Sequence, residues 1–209
     1  MHHDLDVPQL LALVGALGWA SGLRLYSVVF FTGMAGHLGW VALPTGLSVL
    51  KHPAMLWASG AMLFVEFFAD KIPGLDSLWD MLHTFIRVPA GAALAASVFG
   101  ADNATWASVA ALLGGTLAAT SHLAKSTTRA AANLSPEPFS NVTLSLAGDA
   151  VAPASVWLSI AHPAAFAVAL VIGVLLMLAV IWLLGGTLLR VWRSVARRFT
   201  RAGGTADAT

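Results

Sequence analysis

Glu66 and Asp70 stand four residues apart, so a helix places both carboxylates on one face at the end of an otherwise apolar run. Two acids so placed can share a proton or hold a cation. Asp76, Asp80, His83 and Arg87 follow in steps of four, three and four, which at about 100° per residue is a single narrow stripe. His122, Ser126, Arg129 and Asn133 repeat those steps, with Lys125 at the edge of the stripe. Arg24 sits inside an apolar region and needs a carboxylate or a backbone partner, for which Glu66 or Asp70 would serve. Further on, Glu137, Asn141, Ser145 and Asp149 recur every fourth residue. A charge in hydrocarbon costs roughly 2.5–3.5 kcal/mol on insertion scales, so such residues face a bundle interior or a hydrated cavity.

Plainer roles compete for several of these positions. Ser77 with Asp80, after Pro73-Gly74, fits a capping box that would make Asp80 structural. Ser135-Pro136-Glu137 reads as an N-cap, an N1 proline and an acid matched to the helix dipole. Lys71 and Lys125 read as snorkelling residues at the interface, and Arg24 with its acid as an ion pair that only fixes packing. His122 on an apolar helix suits a hydrogen-bonded interior histidine better than a metal ligand. Trp19, Trp40, Trp57, Trp106, Trp157, Trp182 and Trp192 suit an aromatic belt.

The elements that must position these residues are apolar. Hydrophobic residues make up 58% of the chain and charged ones 10%, against about 25% charged in a soluble domain. A spanning helix needs about 20 mostly apolar residues. By that measure 164–189, 105–124 and 53–69 cross. The region 7–43 is one tilted or broken helix or two short ones. A span with one wet side covers 75–100, and 139–160 crosses or re-enters. The fold class is therefore all-α, a polytopic transmembrane bundle of about six crossing or re-entrant segments. It forms one domain over 1–189, followed by a basic tail over 190–209. Arg190, Arg193, Arg197, Arg198 and Arg201 place that tail in the cytoplasm and suit contact with anionic lipid, not nucleic acid. Gly114-Gly115 and Gly185-Gly186 permit close helix approach. There is no cysteine, and no GxSxG, HExxH, Walker or Rossmann pattern, so neither an enzyme nor a cofactor is expected. A metal is left open.

The stretches 21–26 (SGLRLY), 66–80 (EFFADKIPGLDSLWD) and 135–141 (SPEPFSN) resemble signature stretches of a bacterial membrane family catalogued as domain of unknown function 4126. That resemblance covers most of the chain and implies no activity. Residues 66–71 are also similar to the Glu-x-Gly-Asp-Lys motif of a cation/proton exchanger family, with the acids one residue further apart and the glycine missing. Two helix pairs, 53–100 and 105–160, have the outline of an internal repeat.

The expectation is a small transporter or channel of the bacterial inner membrane. Glu66, Asp70, Asp76 and Asp80 would take a cation or proton, with Arg24, Arg87, His122 and Arg129 balancing charge or holding an anionic solute, and His83 and Asn141 completing the set of binding residues. The alternatives are a non-catalytic scaffold, or a lipid-handling protein in which Lys125 and Arg129 hold a phosphate head group. Expected partners are the bilayer, a small ion or charged solute, anionic lipid and a second copy of the chain.

Overall fold

The computed structural model describes residues 5–72, 74–133 and 138–203, excluding the side chains of 102, 138–141, 188, 191, 192 and 194–203. Six α-helices and no strand occur among the described residues: α1 (Val7–His37), α2 (Pro53–Ala69), α3 (Leu75–Ser97), α4 (Ala104–Ala132), α5 (Pro138–Ala161) and α6 (Pro163–Gly203). A 3-10 turn, Thr45–Lys51, links α1 to α2. The architecture is the expected helical bundle. Four segments are long and apolar enough to cross a membrane: Val7–His37, Ala104–Ala132, Val142–Ala161 and Pro163–Thr187. α3 falls short because one of its faces carries charge. α5 runs unbroken through Pro153, so the re-entrant alternative for this segment does not hold.

α1 starts at a reciprocal cap. Asp6 Oδ1 accepts from Gln9 N at 2.8 Å, Asp6 N donates to Gln9 Oε1 at 2.9 Å, and a proline stands in the first turn. Asp6→Ala removes one half of this box and should cost about 1 kcal/mol. A small drop in melting temperature of the detergent-solubilised protein would register it; an unchanged melt would mean the cap contributes nothing.

The helix does not run straight. Arg24 has φ −147° and ψ 78°, outside the helical region. Gln9 donates to the Ile160 carbonyl at 2.9 Å, yet Ile160 also lines a groove with Phe31 and Ala35. In a straight helix residues 9 and 35 would stand about 39 Å apart. The chain therefore doubles back at Arg24 as a V-shaped hairpin, with limbs 7–23 and 25–37. The second limb, at about 20 Å, is too short to span alone.

α1, α3 and α4 form the centre and pack through small residues. A Cβ on Gly18 would lie 2.8 Å from the Gly114 carbonyl oxygen, and one on Gly114 would lie 2.8 Å from that of Gly91. Three backbones meet there with the Ala95 and Ala118 methyls alongside them. By contrast, among the described residues a Cβ on Gly185 would meet nothing within 4 Å and one on Gly186 only the tip of Arg190 at 3.9 Å, so no helix packs on this second glycine pair there. The apolar exterior is extensive, with Trp57, Phe85 and Trp182 each more than three-quarters exposed, as suits a surface solvated by hydrocarbon. Trp19 departs from the aromatic belt: it is buried, and its indole faces the Met177 sulfur at 3.2 Å. α2 with α3, and α4 with α5, make few contacts, and the strongest packing is α3 on α4, so the proposed repeat has no counterpart in how the helices pair.

Candidate functional site

The apex of the α1 hairpin is where the charges gather. α2 ends at Asp70, and the turn to α3 passes through Gly74, whose φ of +88° suits glycine alone. Asp70 is 1% exposed and takes three cations on two oxygens. Oδ1 accepts from Arg129 Nη1 at 2.9 Å, while Oδ2 faces Lys125 Nζ at 3.0 Å and pairs with Arg24 Nη1. The Lys125 ammonium contacts Asp70, Asp80 Oδ1 at 3.0 Å and the Leu23 carbonyl at 3.1 Å. That carbonyl sits beside the break in α1, so the lysine satisfies a backbone group next to the kink.

A second lobe centres on Arg87, which is fully buried. Its Nη2 donates to Glu66 Oε1 at 2.7 Å and its Nη1 to Asp80 Oδ1 at 2.8 Å. Nη1 also lies 3.2 Å from His122 Nδ1. Arginine only donates, so Nδ1 accepts, and the ring proton sits on Nε2, 2.8 Å from Thr84 Oγ1. His83 has the opposite tautomer: Nδ1 faces the Trp79 carbonyl at 2.8 Å and must donate, leaving Nε2 for the Tyr26 hydroxyl at 3.2 Å. A third lobe lies on α5. Arg24 Nη2 reaches Ser145 Oγ at 2.8 Å and Asp149 Oδ1 at 3.0 Å, and Lys71 Nζ reaches Asp149 Oδ2 at 3.0 Å.

The ion pairs enclose Arg24, Lys71, Arg87, Lys125 and Arg129 with Glu66, Asp70, Asp76, Asp80 and Asp149, so five positive and five negative groups balance. Lys51 is the one Lys or Arg before residue 190 that these pairs leave out. Removing a partner from so enclosed a set leaves an uncompensated charge, which is far more costly than losing a surface pair.

Residues 11–184 match the family described as a domain of unknown function (DUF4126). The chain belongs to that family. No curated protein and no solved structure matches it. The match takes in the whole charge network of this DUF4126 member, and its resemblance segments 21–26 and 66–80 meet at the apex of α1.

Nine of the ten sequence-derived site residues are buried here: Arg24, Glu66, Asp70, Asp76, Asp80, His83, Arg87, His122 and Arg129. Asn141 is on α5, but its side chain lies outside the described residues, as do Ser135, Pro136 and Glu137. Three expectations need correction. Glu66 and Asp70 do not act as a mutual pair, because Glu66 turns to Arg87 and Asp70 to Arg24, Lys125 and Arg129. Asp80 is not a capping residue, since Gly74 is the N-cap of α3 and no side chain caps it. Lys71 and Lys125 do not merely snorkel: Lys125 is held by two carboxylates, and Lys71 by Asp149 with its ammonium 3.1 Å from the centre of the Phe67 ring. Sequence reasoning also passed over Tyr26 and Thr84. Tyr26 is the chain's one tyrosine and stands two residues from Arg24, the available signal; Thr84 is marked only by its place between Asp80 and Arg87.

Among the described residues no group of three or more His, Cys, Asp or Glu is arranged to hold a metal ion.

Proposed function

We propose that the protein is a membrane carrier for protons or a small charged solute, working by exchange of partners within the charge network. One observation carries this reading. Glu66 is fully buried and keeps Oε2 without any partner among the described residues, whereas the second oxygens of Asp76 and Asp80 face Arg129 at 4.0 and 3.5 Å. Buried acceptors left open are expensive unless something fills them. A proton on Glu66 Oε2 would cancel the charge facing Arg87 and leave that arginine to Asp80 alone. A cation there would do the same by competing with the guanidinium. Either event shifts α2 against α3, two helices that otherwise touch little, and a broken helix beside a buried polar site is a feature of many transporters.

The carrier reading takes the C-terminal end of α6, and with it the network end of the bundle, as cytoplasmic in a bacterial inner membrane, because basic residues favour that side. In the same reading, the fold-back at Arg24 gives residue 7 the opposite side.

Glu66→Gln tests this directly, because the amide keeps an oxygen for Arg87 while losing the charge. Uptake of protons and of small ions by proteoliposomes should fall at least about tenfold, in a variant that melts below the wild type but still folds, because Arg87 keeps Asp80. Wild-type flux in Glu66→Gln sinks the carrier reading, and a large loss of stability with unchanged flux assigns Glu66 to a scaffold.

A further inference from the structure

A cavity of about 320 Å³ opens between α1, α4, α5 and α6 on the side of the network away from α2 and α3. That volume is at the small end of ligand-sized pockets, which run from about 300 to 1,000 Å³. Its charged lining is one-sided, with Arg24, Lys125 and Arg129 present and no acid. The carboxylates that pair with them stand behind, Asp70 and Asp80 on the α2–α3 side and Asp149 beside Lys71. The remaining wall is apolar, and Leu144, Val151 and Leu176, all exposed, open it to the bilayer.

A second observation points to an occupant. Arg24 is 1% exposed, and its Nε–H has no acceptor among the described residues. A Cβ built on Gly148, which lines the cavity, would sit 3.5 Å from that Nε. With no side chain at Gly148, this orphan donor lies just behind the cavity wall.

We infer that this cavity binds an anionic phospholipid, with its phosphate on Arg24, Lys125 and Arg129 and one acyl chain along the α5–α6 wall. Depth selects a phospholipid. Arg129 lies three residues, about 5 Å, before the end of α4, and Val180 about 15 Å before Arg190 on α6. The cations are thus near the head-group layer, within reach of a lipid in that leaflet. An oxyanion completes the Arg24 fork and answers the positive wall without disturbing Asp70. This site does not depend on the carrier reading.

Native mass spectrometry of the protein released from vesicles of equal phosphatidylglycerol and phosphatidylcholine tests it. The wild type should retain phosphatidylglycerol about tenfold over phosphatidylcholine. Ala147→Trp fills the cavity and leaves all charges in place, so it should lose the bound lipid with no change in melting temperature. Val180→Trp, on the outermost helix, fills it from the other side and serves if the first variant does not fold. Equal retention of the two lipids, undiminished phosphatidylglycerol in a folded filled variant, or a free fatty acid retained in its place would each overturn the assignment.

Discussion

Asp70→Ala is expected to lower the stability of the bundle by about 3–5 kcal/mol, the cost of breaking a buried ion pair by removing one partner. Asp70 is fully buried and meets three cations at once. Its two oxygens hold Arg24 from α1 and both Lys125 and Arg129 from α4, and it terminates α2, so one carboxylate ties three helices together. Without it Arg24 keeps Asp149, Lys125 keeps one contact to Asp80, and Arg129 keeps Asp80 at 3.5 Å and Asp76 at 4.0 Å. Asp149→Ala is the informative comparison. Its side chain is 18% exposed, and its partners Arg24 and Lys71 each have other oxygens to meet, so its loss should cost well under half as much. Thermal unfolding of the two variants in one detergent measures the difference. Equal melting temperatures would show that Asp70 is not the keystone of the network, and the assignment of three cations to it would fall.

The part of this network that the sequence displays is the part written in helical period. Asp76, Asp80, His83 and Arg87 share a face because charged residues spaced by four and three can hide from lipid only together. Lys125 is not legible in that way. A long amine has two solutions at a membrane boundary, snorkelling outward or pairing inward, and periodicity does not separate them. The kink decides between them, because the break at Arg24 sets the Leu23 carbonyl where Lys125 can reach it. Ser21-Gly22 followed by Arg24 hints at a break but not at its direction. The doubling back follows from contacts of residues 9, 31 and 35 with one end of α5, contacts separated by more than a hundred residues of chain. The two glycine pairs teach the same limit. Gly114 sits at a triple crossing and Gly185 faces open space, although both belong to apolar helices with similar neighbours.

A third glycine, Gly22 on α1, supplies the other large expected effect. At Gly22, two residues before Arg24, an added Cβ would overlap Ser121 Oγ and the Ala118 carbonyl, and would lie 2.9 Å from the Ala118 carbonyl carbon. A serine hydroxyl can rotate away, but a helix backbone carbonyl cannot. Gly22→Ala therefore has to push α1 off α4, and overpacking of a tight core costs about 1–3 kcal/mol. The displacement falls where the charges are least tolerant of it. Lys125 would lose the Leu23 carbonyl, and Arg24 would be drawn from Asp70, so any flux through the network should fall with stability. Gly185→Ala controls for composition: among the described residues the new methyl meets nothing, and alanine is the better helix former by about 0.8–1 kcal/mol, so this variant should melt at or slightly above the wild type. If both substitutions left the melt unchanged, α1 and α4 would not be in backbone contact at Gly22. The apex of α1 would then be free to move, and no rigid scaffold would hold five cations against five acids.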